Sequence, residues 1–257
     1  MKHFVKPKKH LGQHFLNDVS IAEKVASMFN GDGLDLPVLE IGPGTGVLTQ
    51  YLMTNFKEVR AIELDRESVA FLKENFVPKG LKLMEGDFLD ARNDEMFFHD
   101  DVLILGNFPY NISSQIVFKV LDNISKVKGF GGMFQKEVAE RLVAGPGSKT
   151  YGILSVFLNT FYNTSYQFTV GPEQFTPPPK VHTGVIKATR IDGYVLPCSR
   201  VLFFDVVKTA FNQRRKTLRN ALHKFNLQES HEFAKLRAEQ LSHHDFIKLT
   251  QFLELPL

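Results

Sequence analysis

The chain has only one cysteine, Cys198, in 257 residues. A lone thiol excludes an internal disulfide and a thiolate metal cluster, and its scarcity points to a reducing compartment. No apolar run approaches the roughly 18 residues that a membrane-spanning helix needs. The N-terminus is basic, but it meets Pro7 and two more lysines where a secretory signal would place an apolar core. A cytoplasmic location without membrane attachment is therefore expected. Internal repeats and low-complexity tracts are missing too. The nine histidines have no metal-ligand spacing, and His243 and His244, adjacent on an expected helix, should point apart as surface residues. No metal site is expected.

What is present is ordinary in bulk and uneven in detail. A hydrophobic fraction of 43% and a charged fraction of 23% suit a globular protein. The length allows one large domain, or a large one with a small partner. The net charge of +3 hides two concentrations of positive charge. Residues 1–14 hold Lys2, Lys6, Lys8 and Lys9 with no acid. Residues 200–219 hold Arg200, Lys208, Arg214, Arg215, Lys216 and Arg219 against Asp205 alone. Either segment by itself reads as a solvated surface, but two together are the footprint of a polyanion binder.

Between residue 38 and about 135, short apolar strands alternate with amphipathic helices, the pattern of a parallel α/β sheet. Strands are expected at 38–41, 58–63, 81–85, 102–105 and 129–135, with helices over 46–54, 68–76 and 113–121. Helices at 136–143 and 151–161 follow, then a closing pair of strands at 166–170 and 181–191 around a proline-rich loop. Beyond 191 the strand signal stops. Helices are expected at 199–222, 229–239 and 242–253, the last opened by Ser242 and Asp245 as a capping box. Phe203, Val207, Phe211, Leu218 and Leu222 share one helical face. Arg214 would share it in an unbroken helix, so a break near Asn212-Gln213 is expected. These patterns divide the chain into an α/β domain over 1–190 and a helical domain over 191–257.

Polar residues gather where the expected strands end. Val38-Leu39-Glu40-Ile41-Gly42-Pro43-Gly44-Thr45-Gly46 is a strand feeding a glycine turn, which lets backbone approach a ligand closely. A dinucleotide-binding turn needs its third glycine one residue later, where Val47 stands, so a dehydrogenase is disfavoured. Glu63 ends the next strand, where a carboxylate can accept both hydroxyls of a ribose. Asp87 follows the third, placed to accept from an adenine amine. Asn107-Phe108-Pro109-Tyr110 follows the fourth. An Asn amide oxygen and a neighbouring carbonyl can both accept from an –NH2 group. Proline fixes the backbone, and an aromatic ring can stack on a base. In a parallel sheet such ends form one crevice.

Five motifs carry a resemblance over nearly the whole chain. They are Gly12-Gln13-His14-Phe15-Leu16-Asn17, Glu40-Ile41-Gly42-Pro43-Gly44-Thr45-Gly46, Asn107-Phe108-Pro109-Tyr110, Phe175-Thr176-Pro177-Pro178-Pro179-Lys180-Val181 and Gln213-Arg214-Arg215-Lys216-Thr217-Leu218-Arg219-Asn220. In this order and spacing the chain resembles the small-subunit ribosomal RNA adenine N6,N6-dimethyltransferases, relatives of the erythromycin-resistance methylases. The resemblance implies a Rossmann-like class I methyltransferase sheet with a small C-terminal all-helical domain, and S-adenosylmethionine as methyl donor. It implies that Gly42, Glu63, Asp87 and Asn107 line the donor site, with His14 and Leu16 closing it. Asn107 and the Phe108 carbonyl would accept the hydrogens of adenine N6, Pro109 would fix that carbonyl, and Tyr110 would stack on the base, with Phe175 on its other face. Arg214, Arg215, Lys216 and Arg219 would bind rRNA phosphates, aided by Lys8, Lys9 and Lys180.

The target implied is two adjacent adenines in the 3′-terminal hairpin of 16S rRNA, met on the pre-30S subunit by a monomer. His14 stands where the family often has Asn, and Phe108 where it often has Leu. The basic motif at 213–220 favours the small-subunit branch over a large-subunit methylase. Intact Glu63, Asp87, Asn107 and Tyr110 disfavour a non-catalytic assembly factor.

Overall fold

Near-continuous apolar strands form when a sheet is covered on both faces, and two such strands lie in the middle of the main sheet. The computed structural model describes residues 5–255. Its strands are β1 (Phe15–Leu16), β2 (Val38–Ile41), β3 (Val59–Glu63), β4 (Lys82–Glu85), β5 (Val102–Asn107), β6 (Val127–Gln135), β7 (Tyr162–Val170), β8 (Phe175–Thr176) and β9 (Thr183–Arg190). Its α-helices are α1 (Val19–Ala26), α2 (Thr49–Asn55), α3 (Arg66–Asn75), α4 (Asp94–Phe97), α5 (Ser113–Asp122), α6 (Lys136–Leu142), α7 (Ile153–Phe161), α8 (Arg200–Asn212), α9 (Leu218–Ala221) and α10 (His243–Glu254). Seven strands form one sheet in the order β4-β3-β2-β5-β6-β9-β7, while β1 and β8 pair separately. β2 to β6 are parallel and β9 runs antiparallel to β6.

Every residue of β2, and of β5 up to Gly106, is buried. The strand order reverses between these two, and ligands of open α/β sheets bind at the carboxyl ends of strands flanking such a reversal. β5 runs two residues further than the sequence pattern suggests, so Asn107 is its last residue rather than the first of a loop. α2 starts at Thr49, three residues late, which leaves the glycine turn as free-standing backbone. α3 starts where Asp65 accepts from the Ser68 amide at 3.4 Å, an N-cap that also fixes the segment just past Glu63.

The chain divides into two compact units, with boundaries after Ala139, Thr164 and Arg190. The boundary expected at 190 is one of these, but residues 140–164 group with the chain from Ile191 on, not with 1–190. The physical reason is α7, whose Val156, Phe157 and Leu158 are fully buried. Phe157 stacks on Phe204 of α8 with centroids 4.0 Å apart. In that second unit α8 stops at Asn212, and α9 begins five residues past Gln213, the break that Arg214 demanded.

The helix expected at 229–239 does not form. The carbonyls of Ala234 and Leu236 instead accept the amides of Arg219 and Leu218 at 3.0 and 2.7 Å, satisfying the amides that the first turn of α9 leaves without a helical partner. Only a 3-10 turn remains, at Ala238–Gln240. α10 carries its expected cap, with Ser242 Oγ accepting from the Asp245 amide at 3.2 Å. Among the described residues no helix is long and apolar enough to cross a membrane.

Candidate active site at the strand ends

The ends of β2, β3, β4 and β5, together with residues 11–15 and 108–112, line a cleft of about 870 Å³ including its mouth. His14, Gly42, Glu63, Asp87, Asn107, Phe108, Pro109 and Tyr110 all face it. Those eight residues come from five separate stretches of chain; the sheet topology delivers seven of them, and the Asn107 side chain ties the eighth, His14, to the strand ends through its carbonyl.

On one side the glycine turn is tied to Glu63. The Gly44 amide donates to one Glu63 oxygen at 2.9 Å, and the Asp65 amide donates to the other at 2.9 Å. A carboxylate has about four lone-pair positions, so each oxygen keeps capacity for a ligand hydroxyl. Burial pushes the Glu63 carboxyl up, while the two amides pull the other way. Gly42 has φ +67°, and a Cβ there would meet Pro109 Cγ at 3.6 Å, at the wall between the two halves of the cleft. Before the turn, in β2, lies Glu40, which does not line this cleft. It is fully buried, accepts from the Thr49 hydroxyl at 2.6 Å, and burial raises its carboxyl to about 8. Asp87 is exposed, with one oxygen accepting from the Leu89 amide at 2.9 Å. Exposed Leu64, with Phe88 and Leu89, adds apolar walls suited to a flat ring.

On the other side, Asn107 donates through Nδ2 to the His14 carbonyl at 2.8 Å. A carbonyl can only accept, so this bond fixes the amide's orientation and leaves Oδ1 as an acceptor. The Phe108 amide donates to the Met133 carbonyl at 3.2 Å. The Phe108 ring is 1% exposed and packs 4.8 Å from Phe134, which anchors the backbone leading to Pro109. The Tyr110 hydroxyl bonds Thr183 Oγ1, and its ring lies 5.3 Å from that of His14. Burial raises the Tyr110 phenol, so it stays protonated at neutral pH. His14 reaches the Pro177 carbonyl through Nδ1 at 2.7 Å.

Two expected site residues lie elsewhere. Leu16 and Phe175 are 4% and 2% exposed, belong to the apolar core, and do not line the cleft. They are partners in the β1–β8 ladder, which turns both side chains inward. Phe15, one residue earlier, faces the cleft in place of Leu16, along with Leu11, Gly12 and Gln13. The motif Gly12-Gln13-His14-Phe15 carried that signal. Asn111 and Ile112 were not anticipated, and nothing in their residue types marks them.

The expected RNA-binding cations divide into two groups. Lys9, Lys180, Arg215 and Lys216 are exposed, and among the described residues none has an ion-pair partner. Three others are engaged. Lys8 pairs with Asp65 and Glu67. Arg214 pairs with Glu239 at 2.6 Å and donates to the carbonyls of Lys149 and Ser148 at 3.0 and 3.3 Å, so it clamps its own unit together. Arg219 pairs with Glu229 at 2.8 Å on the surface. The rings of His243 and His244 do not point apart but touch, with centroids 3.9 Å apart. Burial, with His244 beside it, lowers His243 to about 4, so it is neutral. Among the described residues no three His, Cys, Asp or Glu side chains converge as metal ligands.

The ribosomal RNA adenine dimethylase family model matches residues 5–254. Ribosomal RNA small subunit methyltransferase A of Flavobacterium johnsoniae is 54% identical over 254 residues, covering 97% of both chains. The protein of the same name from Phocaeicola vulgatus is 50% identical, covering 98% of this chain and 91% of that one. Among solved structures, a dimethyladenosine transferase from Plasmodium falciparum superposes with a TM-score of 0.77 at 26% identity, covering 92% of this chain and 96% of its own. The 23S rRNA methyltransferase ErmE, at 21% identity and a TM-score of 0.69 over 92% of this chain and 99% of its own, shares the fold. The chain belongs to the ribosomal RNA adenine dimethylase family, enzymes with the class I methyltransferase fold that use S-adenosylmethionine on rRNA.

Proposed function

We propose that the protein dimethylates N6 of two adjacent adenines in the 3′-terminal hairpin of 16S rRNA, acting as a cytoplasmic monomer on the pre-30S subunit during ribosome assembly. The observation that carries this reading is the single cleft in which Glu63 and the Gly42 turn face Asn107-Phe108-Pro109-Tyr110. The small-subunit target is supported by relatives 50–54% identical that bear that name.

The cleft fits the donor. Gly42 opens backbone at the wall next to Pro109, Glu63 retains acceptor capacity for ribose hydroxyls, and exposed Asp87 can accept from the donor's adenine. When bound, S-adenosylmethionine supplies an electrophilic methyl on a sulfonium that leaves as a neutral thioether. The chain's own residues then act on the acceptor base. Adenine N6 is a poor nucleophile because its lone pair is delocalised into the ring. In the first transfer Asn107 Oδ1 and the Phe108 carbonyl accept hydrogen bonds from the two N6 hydrogens, and in the second from the one that remains. These bonds favour a pyramidal nitrogen and stabilise charge that builds only in the transition state. As the N–C bond forms the S–C bond breaks, and the methylated nitrogen then releases its proton to water. Tyr110 offers its face to the extruded base. Its phenol is held by Thr183 and stays protonated, so it is not the base. Lys9, Lys180, Arg215 and Lys216 position RNA through phosphates without reading sequence.

The test is transfer of labelled methyl from S-adenosylmethionine to unmethylated small subunits, with the modified bases mapped. Dimethyladenine at two adjacent positions near the 3′ end is expected. Label in the large subunit, or none in any RNA, would sink the reading.

A further inference from the structure

Lys8 is one of the basic residues that sequence assigns to RNA, yet its surroundings are wrong for that work. Its ammonium pairs with Asp65 and lies 3.3 Å from Glu67, so the local charge is one cation against two carboxylates. A phosphate approaching Lys8 would meet net negative charge. The Asp65 side chain is 1% exposed, whereas that of Lys8 is 29% exposed. The pair is thus anchored on its buried, acidic end.

Asp65 leads directly to the donor half of the cleft. Its amide donates to Glu63 Oε1 at 2.9 Å, and the other Glu63 oxygen holds Gly44. Lys8 leads in the opposite direction, into the segment that roofs the cleft. Its amide donates to Gln13 Oε1 at 2.8 Å, and its carbonyl accepts from Leu11 at 3.0 Å. Gly12, at φ +65°, reverses the chain there. Two residues on, the His14 carbonyl receives the Asn107 amide. One continuous set of bonds therefore runs from Gly44 through Glu63, Asp65, Lys8 and residues 8–14 to Asn107.

We propose that Lys8 is a positioning residue for methyl transfer, latching residues 8–14 to the donor half of the cleft through Asp65 and thereby holding the Asn107 amide in its accepting orientation. The inference rests on the reading of Glu63 as part of the donor site. Removing Lys8 leaves a nearly buried carboxylate without its cation and frees one end of the roof. Arginine at position 8 keeps the charge and the reach.

The experiment compares Lys8→Met and Lys8→Arg with the unaltered protein. Donor affinity is measured by calorimetry with S-adenosylmethionine, RNA affinity with a 3′-terminal hairpin at several salt concentrations, and steady-state kinetics for both substrates. Lys8→Met is expected to lose about tenfold in donor affinity and to show a lower kcat, with RNA affinity and its salt slope unchanged. Lys8→Arg should recover most of the loss, which a purely local folding defect would not predict. Donor affinity of Lys8→Met within about twofold of the unaltered protein, or a salt slope reduced by about one, would overturn the latch. If the unaltered protein binds no donor, both this inference and the proposed function fall. An active parent with an indifferent Lys8→Met removes the latch alone.

Discussion

The cleft at the strand ends and the basic turn after α8 were both conspicuous in the sequence, and the structure treats them differently. In the cleft, eight expected residues face one space, seven of them because parallel strands deliver their ends to one edge whatever the loops between them do, and His14 because its carbonyl is held by Asn107. In the basic turn, residues adjacent in sequence have separate fates. Arg215 and Lys216 are exposed, while Arg214 is held by Glu239 and by two carbonyls of residues 148 and 149. Backbone geometry is local and repeats, so it can be read from a motif. The partner of a charge is set by the tertiary fold, so a run of arginines does not reveal which of them is available.

The sharpest way to break this contrast lies in the cleft. Asn107→Ala removes both the acceptor oxygen and the bond to His14. Methyl transfer should fall about 100- to 1,000-fold, as for loss of one preorganised transition-state contact, with the thermal midpoint little changed. Single-turnover transfer to small subunits checks this, and a rate within threefold of the parent would remove Asn107 from the mechanism.

Next comes the buried carboxyl of β2, Glu40, which does not face the cleft. Burial raises Glu40 from its ordinary 4.5 to about 8, Thr49 opposing and Glu63 adding to the rise. Between those values the folded protein holds a proton that the unfolded chain has released. Its contribution to stability is therefore full below about 4.5, declines as pH rises, and is gone above about 8. Urea unfolding of the parent and Glu40→Gln across that range should show the variant gaining relative stability with rising pH. A constant difference would mean that Glu40 is ionised in the folded state.

The central strands were legible because they are short, mostly apolar runs bounded by turns, and the residues proposed for donor and acceptor follow from where those runs stop. Leu16 and Phe175 were misplaced because a two-residue ladder joining positions 159 residues apart leaves no periodicity to read. The helix expected at 229–239 failed for a similar reason. Its composition suits a helix, but its carbonyls are taken by the start of α9, a tertiary demand that overrides propensity. The break after Asn212 was legible because a charged residue on an apolar face is a local contradiction.

The basic turn separates next. Arg214→Ala removes one ion pair and two hydrogen bonds at a half-buried guanidinium, so unfolding free energy should drop by about 1–3 kcal/mol. Arg215→Ala should leave stability within about 0.5 kcal/mol and lower the salt slope of RNA binding by about one. Equal stability losses for the two neighbours would erase the distinction between clamp and contact.

The smallest effect concerns Arg219, which lies between those two cases. Its pair with Glu229 leaves the side chains 52% and 64% exposed, so water and salt screen it heavily. Such a pair contributes about 0–1 kcal/mol, and Glu229→Gln should change stability by no more than that. The same change removes a negative charge beside a cation that RNA phosphates can use. Affinity for the hairpin should therefore rise about two- to threefold at low salt and converge with the parent as ionic strength increases. If affinity falls instead, Glu229 orients Arg219 for RNA, and the exposed pair belongs with Arg214 among the engaged charges.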